Sequence, residues 1–331
     1  MTATVEAPRG DARPARSAPP APQHPPKVRS ASRRRHLTPW MMLAPGIVLF
    51  TVFMAAPILY TFVLSFQKEM VKGLGLGTGG KTRTFAGLEN YVATLTDPEF
   101  LASVGRVLLY GVILVPTMLG LALLFALLLD ARRTGAKSFS RVSIFLPYAV
   151  PAVISSLLWG FLYLPAVSPF YWIFEQLGWD DLPSLLSPGL VVFAIANIGL
   201  WGGVGFNMIV MYTSLKAVPT EIYEAARIDG ASEAQIAWRI KVPIIMPALI
   251  MTALFSMIAT LQVFAEPTTL RPLTNSLSTT WSPLMYVYRD AFTRDDIYSA
   301  AATSVIIAIA TFALSFFFLR VVQRRAFGQE D

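Results

Sequence analysis

Side chains able to carry out catalysis are scarce in this sequence. There is no cysteine, so thiol nucleophiles, disulfides, iron–sulfur clusters and thiolate zinc sites are excluded. The two histidines, His24 and His36, both precede the first apolar run, leaving the apolar part without imidazole for general-base catalysis, haem ligation or metal binding. Gly75-Leu-Gly-Thr-Gly-Gly80-Lys81-Thr82 matches the G-x4-G-K-[ST] phosphate loop letter for letter. That motif works only when a strand delivers the loop and a helix follows at once. Here an apolar helix precedes it and no helical pattern follows Thr82, so the stretch reads as a plain glycine loop.

The most informative spacing lies between Pro219 and Pro247, and its chemistry is recognition rather than bond-making. Glu224-Ala225-Ala226, Asp229 and Gly230 are followed by Ser232, Gln235, Trp238, Ile240 and Pro243. Thr220 is expected to cap a first short helix, with Glu221 and Glu224 near its positive end. Gly230, in the left-handed conformation, is expected to end it. Ser232 and Gln235 form a capping box for a second helix that is expected to stop before Pro243. Ala225 and Ala226 leave one flank smooth, so a groove of another protein can approach the backbone, with Glu224 and Asp229 at its border. A helical hairpin resting on a bilayer surface would have the same caps.

These residues sit in a chain that is 54% hydrophobic and 14% charged over 331 residues, with a mean hydropathy of +0.55. A soluble domain carries about 25% charged residues, so a soluble enzyme or free nucleic-acid binder is a poor fit. Six segments are long enough to span a bilayer: 40–66, 104–129, 142–165, 189–213, 247–266 and 299–322. The fold class expected is therefore an all-α membrane protein with six transmembrane helices. Residues 1–39, with eight prolines and eight Lys or Arg, read as a disordered basic tail. Basic residues concentrate in that tail, in the 130–141 loop (four), in the 214–246 loop (four) and at the end of the chain (three). The other side holds eight, so both termini are expected to be cytoplasmic and the +7 net charge is a topology signal, not a nucleic-acid footprint.

Glu-Ala-Ala, three residues, Gly, nine residues, Ile, two residues, Pro closely resembles the EAA loop of ABC importer permeases fed by a binding protein, with Val242 where that family usually has Leu. Ala86–Tyr91, Asp97–Phe100, Phe145–Tyr148, Trp201–Met208 and Tyr288–Phe292 are similar to its carbohydrate-uptake branch, maltose-type first subunits in particular. Two stretches depart from the pattern. Gly105-Arg106 replaces an Asn-Thr that opens the second helix, and Thr268–Thr274 replaces Thr-x-Gly-Gly-Pro. The resemblance implies a type I ABC importer permease fold in the bacterial cytoplasmic membrane. Its parts are a first transmembrane helix over 40–66, a core permease domain with five transmembrane helices over 104–322 and a coupling loop over 219–247. It implies a second permease subunit, two ATPase subunits that hold ATP and Mg, and an extracytoplasmic sugar-binding protein. This chain would bind no cofactor, metal or nucleic acid and hydrolyse nothing. Coupling to the ATPase would fall to Glu224, Ala225, Ala226, Asp229, Gly230, Ile240 and Pro243.

A sugar path needs hydrogen-bonding groups and aromatic faces, and the fourth helix offers Asn197, Trp201, Phe206 and Asn207 around its glycines, the fifth Ser256, Thr260, Gln262 and Glu266. In maltose-type permeases these two helices line the sugar path, which implies that role for the stretches Gly199–Phe206, with Trp201, Gly202 and Gly203, and Ser256–Val263, with Ala259 and Thr260. For the glycines the alternative is close helix packing, for Trp201 packing against lipid or a helix, and for Glu266, next to Pro267, interfacial solvation. An ATP-independent carrier would want charged relay residues within the helices, and the middles of these segments have almost none. A membrane-anchored signalling protein leaves the 219–247 hairpin without a task. An amino-acid or metal permease is the nearest relative reading, against which the segments around Tyr148, Trp201 and Tyr288 favour sugar.

Overall fold

The computed structural model describes residues 2–3, 37–71, 81–131, 135–179 and 182–326. Most of the basic tail, the core of the glycine loop, Arg132, Arg133, Asp180 and Asp181 lie outside the described residues. The chain divides into two units at Ala55/Ala56, inside the segment read as the first span. The first unit contains α1 (Leu37–Phe50), which ends in a π turn, Thr51–Ala55.

The second unit opens with α2 (Ala56–Leu64) and a hairpin of β1 (Gln67–Val71) and β2 (Lys81–Phe85), paired antiparallel with Gln67 opposite Phe85. Lys81 and Thr82 thus enter a strand, where a phosphate loop would need a helix. There follow α3 (Glu89–Thr96), α4 (Pro98–Asp130), α5 (Lys137–Phe145), α6 (Ala152–Leu162), α7 (Pro169–Gln176) and α8 (Val191–Lys216). Next come α9 (Thr220–Ile228), α10 (Glu233–Ile236), α11 (Val242–Ile244), α12 (Met246–Leu261), α13 (Ala265–Leu270), α14 (Pro283–Tyr288) and α15 (Ile297–Ala326).

Among the described residues five helices are long and apolar enough to cross a membrane: Pro39–Leu64, Pro98–Asp130, Val191–Lys216, Met246–Leu273 and Ile297–Val321. The third expected segment, 142–165, is not a straight helix. Lys137–Ala149 and Ala152–Leu162 meet at 97°, and only as one broken span do they make a sixth. Pro147 lies in the short 3-10 turn Leu146–Ala149, and Pro151 stands at the start of α6. Neither has an N–H for an α-helical ladder, so the chain turns. Expectation also placed the start of the second span too late. Asp97 caps α4, its Oδ1 accepting from the amides of Glu99 (2.7 Å) and Phe100 (3.4 Å), so Gly105 and Arg106 lie inside the helix. Arg106 donates to the carbonyls of Thr280 (2.8 Å) and Trp281 (2.9 Å).

α4 and α8 form the most extensive helix pair. The buried positions of α4 are Phe100, Ser103, Val107, Tyr110, Leu114, Met118, Ala122, Ala126 and Leu129, at steps of three or four that make one stripe. Opposite it, α8 presents glycine. A Cβ on Gly199 would lie 2.7 Å from Tyr110 Oη, and one on Gly203 would lie 2.5 Å from Met118 Sδ. Gly205 meets backbone instead, its virtual Cβ 2.3 Å from the Ile144 carbonyl oxygen. The outward faces are apolar, with Phe312 of α15 75% exposed, as lipid contact requires.

At the end of the bundle where α4 begins, charges knit the helices together. Tyr286 donates to Asp97 (2.7 Å), buried Arg289 pairs with Glu99 (2.7 Å) and Asp290 (2.8 Å), and Ser299 donates to Asp290 (3.0 Å). Partial burial raises the Asp97 carboxyl, but Tyr286, the two amides and Arg289 outweigh it and hold it below its ordinary value. Its contribution to stability is therefore present above the unfolded-state value and lost as pH falls through the folded one.

Because Gly205 abuts backbone, Gly205→Val is expected to lower the thermal midpoint of the detergent-solubilised protein, by an overpacking cost of about 1–3 kcal/mol or more. Gly202, with nothing within 4 Å of its virtual Cβ, should accept Ala with no measurable shift.

Candidate functional site

The Glu-Ala-Ala segment lies on α9, with Glu224, Ala225, Asp229 and Gly230 exposed and Ala226 half-buried. Gly230 has φ +83°. The amide of Ala231 donates to the Ala226 carbonyl (2.9 Å) and that of Gly230 to the Arg227 carbonyl (3.0 Å), the paired bonds of a Schellman stop. The capping box of α10 is present. Gln235 N donates to Ser232 Oγ (3.3 Å) and Ser232 N to Gln235 Oε1 (2.8 Å). Arg227 Nε bonds Glu233 across the turn at 2.7 Å, and that hydrogen bond raises the guanidinium further. Burial pushes the Tyr223 phenol up, with the charge of Asp130 adding to it.

Two expectations here are corrected. Thr220 does not cap α9: Pro219 takes the cap position, with no side-chain bond. The second helix does not stop before Pro243. It passes through a π turn, Ala237–Lys241, which lets the proline enter α11 at its N-terminal end, where a missing N–H costs nothing. Ile240 is half-buried and Pro243 exposed. Two apolar side chains on this surface, to which the spacing assigns no role, stand out into solvent: Ile228, 87% exposed, and Trp238, 65% exposed.

The second feature is a cavity of about 510 Å³ between α4, α8 and α12. Gly199, Gly203, Phe206, Ser256, Ala259, Thr260 and Val263 line it. Asn197, Trp201 and Gly202 do not. One helical residue turns 100°, so Asn197 and Trp201 face away from Gly199. Asn197 donates to Tyr163 Oη (2.8 Å), and Trp201 lies edge-to-face on Trp159 at 6.1 Å. Asn207, Gln262 and Glu266 join the lining, as do Tyr110, Leu114, Met118, Tyr148, Phe255 and Phe264, which the reading of two helices alone did not include. Tyr110, Leu114 and Met118 stand at i, i+4 and i+8 in a stripe indistinguishable from ordinary core. Tyr148 stacks on Phe206 at 5.0 Å and 20°, Ser256 donates to Asn207 (3.3 Å), and Thr260 donates to the Ser256 carbonyl (2.7 Å). Hydroxyls, an amide and aromatic faces in an apolar wall suit a polyhydroxylated solute. Among the described residues no cluster of His, Cys, Asp or Glu suits a metal.

Residues 99–328 match the family of binding-protein-dependent transport system inner membrane components. The chain belongs to that family. This permease is a multi-pass inner-membrane transport component. It is 31% identical over 296 residues to the sn-glycerol-3-phosphate transport system permease protein UgpA of Brucella abortus, covering 87% of this chain and 96% of the relative. To the trehalose/maltose transport system permease protein MalF of Thermococcus litoralis it is 31% identical over 225 residues, 68% of this chain and 74% of the relative. Its fold matches a chain of a bacterial ABC transporter that imports the acidic polysaccharide alginate, with a TM-score of 0.75 at 20% identity, covering 88% of this permease and 96% of that chain.

The permease's hairpin depends on its caps. Ser232→Ala should cost about 1 kcal/mol locally, read as roughly fivefold faster hydrogen exchange of the Gln235 amide.

Proposed function

We propose that this permease is one of two membrane subunits of an ABC importer for a neutral carbohydrate, an oligosaccharide or glycoside, with both termini cytoplasmic. A binding protein outside delivers the solute, and two ATPase subunits inside, which hold ATP and Mg, drive its passage. This chain hydrolyses nothing and holds no cofactor. The observation that carries the class is the capped α9–α10 hairpin, with Glu224-Ala225-Ala226 and Gly230 on its exposed surface, in a chain whose relatives include sugar permeases. In this reading Glu224, Ala225, Ala226, Asp229, Gly230, Ile240 and Pro243 form the ATPase contact, with Ile228 and Trp238 as its apolar anchors.

The cavity supports the substrate class. The relative from Brucella abortus carries an anion, and the alginate importer an acidic polymer. Here, among the described residues that line the cavity, Glu266 is the one Asp, Glu, Lys or Arg. Its carboxylate form repels phosphate and uronate, and either protonation form hydrogen-bonds sugar hydroxyls. Gly199, Gly203, Phe206, Ser256, Ala259, Thr260 and Val263 then form this subunit's share of the path. Asn197 and Trp201 act behind it by packing, and Gly202, which borders open space, has neither role.

Two tests follow. Affinity purification of the tagged chain from native membranes should recover an ATPase, a second permease and a binding protein. Ile228→Glu with Trp238→Ala should lower ATPase recovery by about tenfold or more, as loss of two anchors implies, while the chain stays in the membrane. Recovery unchanged by that double variant would remove these side chains from the contact. In a thermal-shift screen, the co-purified binding protein should be stabilised by neutral sugars and not by glycerol-3-phosphate or oligouronates. Stabilisation by an anion would overturn the neutral assignment.

A further inference from the structure

Three walls of the cavity belong to α4, α8 and α12. α8 leads into the hairpin along the chain and α12 follows it, whereas α4 is far from it in sequence and is held to it by charge. Asp130, the last residue of α4, is buried, its side chain 6% exposed. Its Oδ2 accepts from Lys241 Nζ at 2.5 Å, and its Oδ1 lies 2.7 Å from the ammonium of Lys216, the last residue of α8. Lys241, at the end of the π turn, is itself only 7% exposed, and its ammonium sits 4.9 Å from the ring centroid of Tyr223 on α9. An acid at a helix C-terminus faces the negative end of the dipole, and a buried charge persists only when paired. Two ammoniums answer both costs at one point, and they come from α8 and from the hairpin.

We propose that Asp130 is a positioning residue that joins the hairpin to the ends of α4 and α8, so that a displacement of the hairpin moves all three cavity walls together. The proposal rests on the reading of the hairpin as the ATPase contact. Drawing Lys241 away from Asp130 would leave a buried ammonium without its carboxylate, so the cluster resists separation. The exposed Arg227–Glu233 pair, with Glu233 62% exposed, carries no such resistance.

The absence of native cysteine makes the test direct. Ala259→Cys places a thiol on the cavity wall, and N-ethylmaleimide reports its accessibility in the whole purified complex, with and without ATP and Mg. With the cluster intact, nucleotide should change the labelling rate by about tenfold, within the ordinary range of coupling between two sites. Asp130→Asn, and separately Lys241→Met, which leaves Asp130 paired with Lys216, should keep the ATPase subunits and their hydrolysis but reduce that change to less than about twofold. Exchange of the charges, Asp130→Lys with Lys241→Asp, should restore part of it. An undiminished response in both single variants would overturn the proposal. So would loss of the ATPase subunits from both, because the cluster would then serve docking. An unaltered chain that retains no ATPase would overturn the hairpin reading and this proposal with it.

Discussion

Between two helices in lipid there is no water to expel, so α4 and α8 are held by how closely their surfaces fit. Tyr110, Leu114 and Met118 form one row of side chains at i, i+4 and i+8, and Gly199 and Gly203 form the matching groove. The same glycines that admit Tyr110 and Met118 also line the cavity, so close packing and cavity lining are one arrangement. Gly205, one turn beyond Trp201, admits the backbone of Ile144 and so fixes where the bent α5–α6 pair lies. That bend carries Tyr148 to the cavity, onto Phe206.

This arrangement leaves the middle of the bundle polar in small, satisfied steps. Ser256, Thr260 and Asn207 each bond within or between helices while presenting oxygen or nitrogen to the cavity. A solute with many hydroxyls exchanges water for such groups with little loss, whereas an anion would meet Glu266. The two ends of the bundle divide the remaining work. One is bound together by Asp97, Tyr286, Arg289 and Asp290; the other carries the hairpin, tied to α4 and α8 through Asp130. In the proposed transport cycle, such tied ends would let the helices move as rigid bodies.

What could be read from the sequence follows the range of the forces involved. Apolar length gave six candidate spans, of which five are helices long and apolar enough to cross a membrane among the described residues, and local hydrogen-bonding patterns gave the Gly230 stop and the Ser232–Gln235 box, which are settled within a few residues. The Thr220 cap failed for a local reason: Pro219 already supplied the extended conformation before the helix. The stop at Pro243 failed because a π turn absorbs a proline in a way that no periodicity count reveals. The facing of Asn197 and Trp201 needed the rotation of α8 about its axis, which comes from α4. Asp130 and Lys241, 111 residues apart, meet only once the helices have packed.

The proposed coupling depends on α9 sitting against an ATPase. Because the chain has no native cysteine, one placed at Ala225 can be cross-linked by a short bismaleimide to surface cysteines introduced along the groove of the co-purified ATPase. The expected result is a single adduct, of the combined mass of the two chains, whose yield changes when ATP is added. The absence of any adduct at every groove position, in complexes shown to contain both proteins, would contradict it.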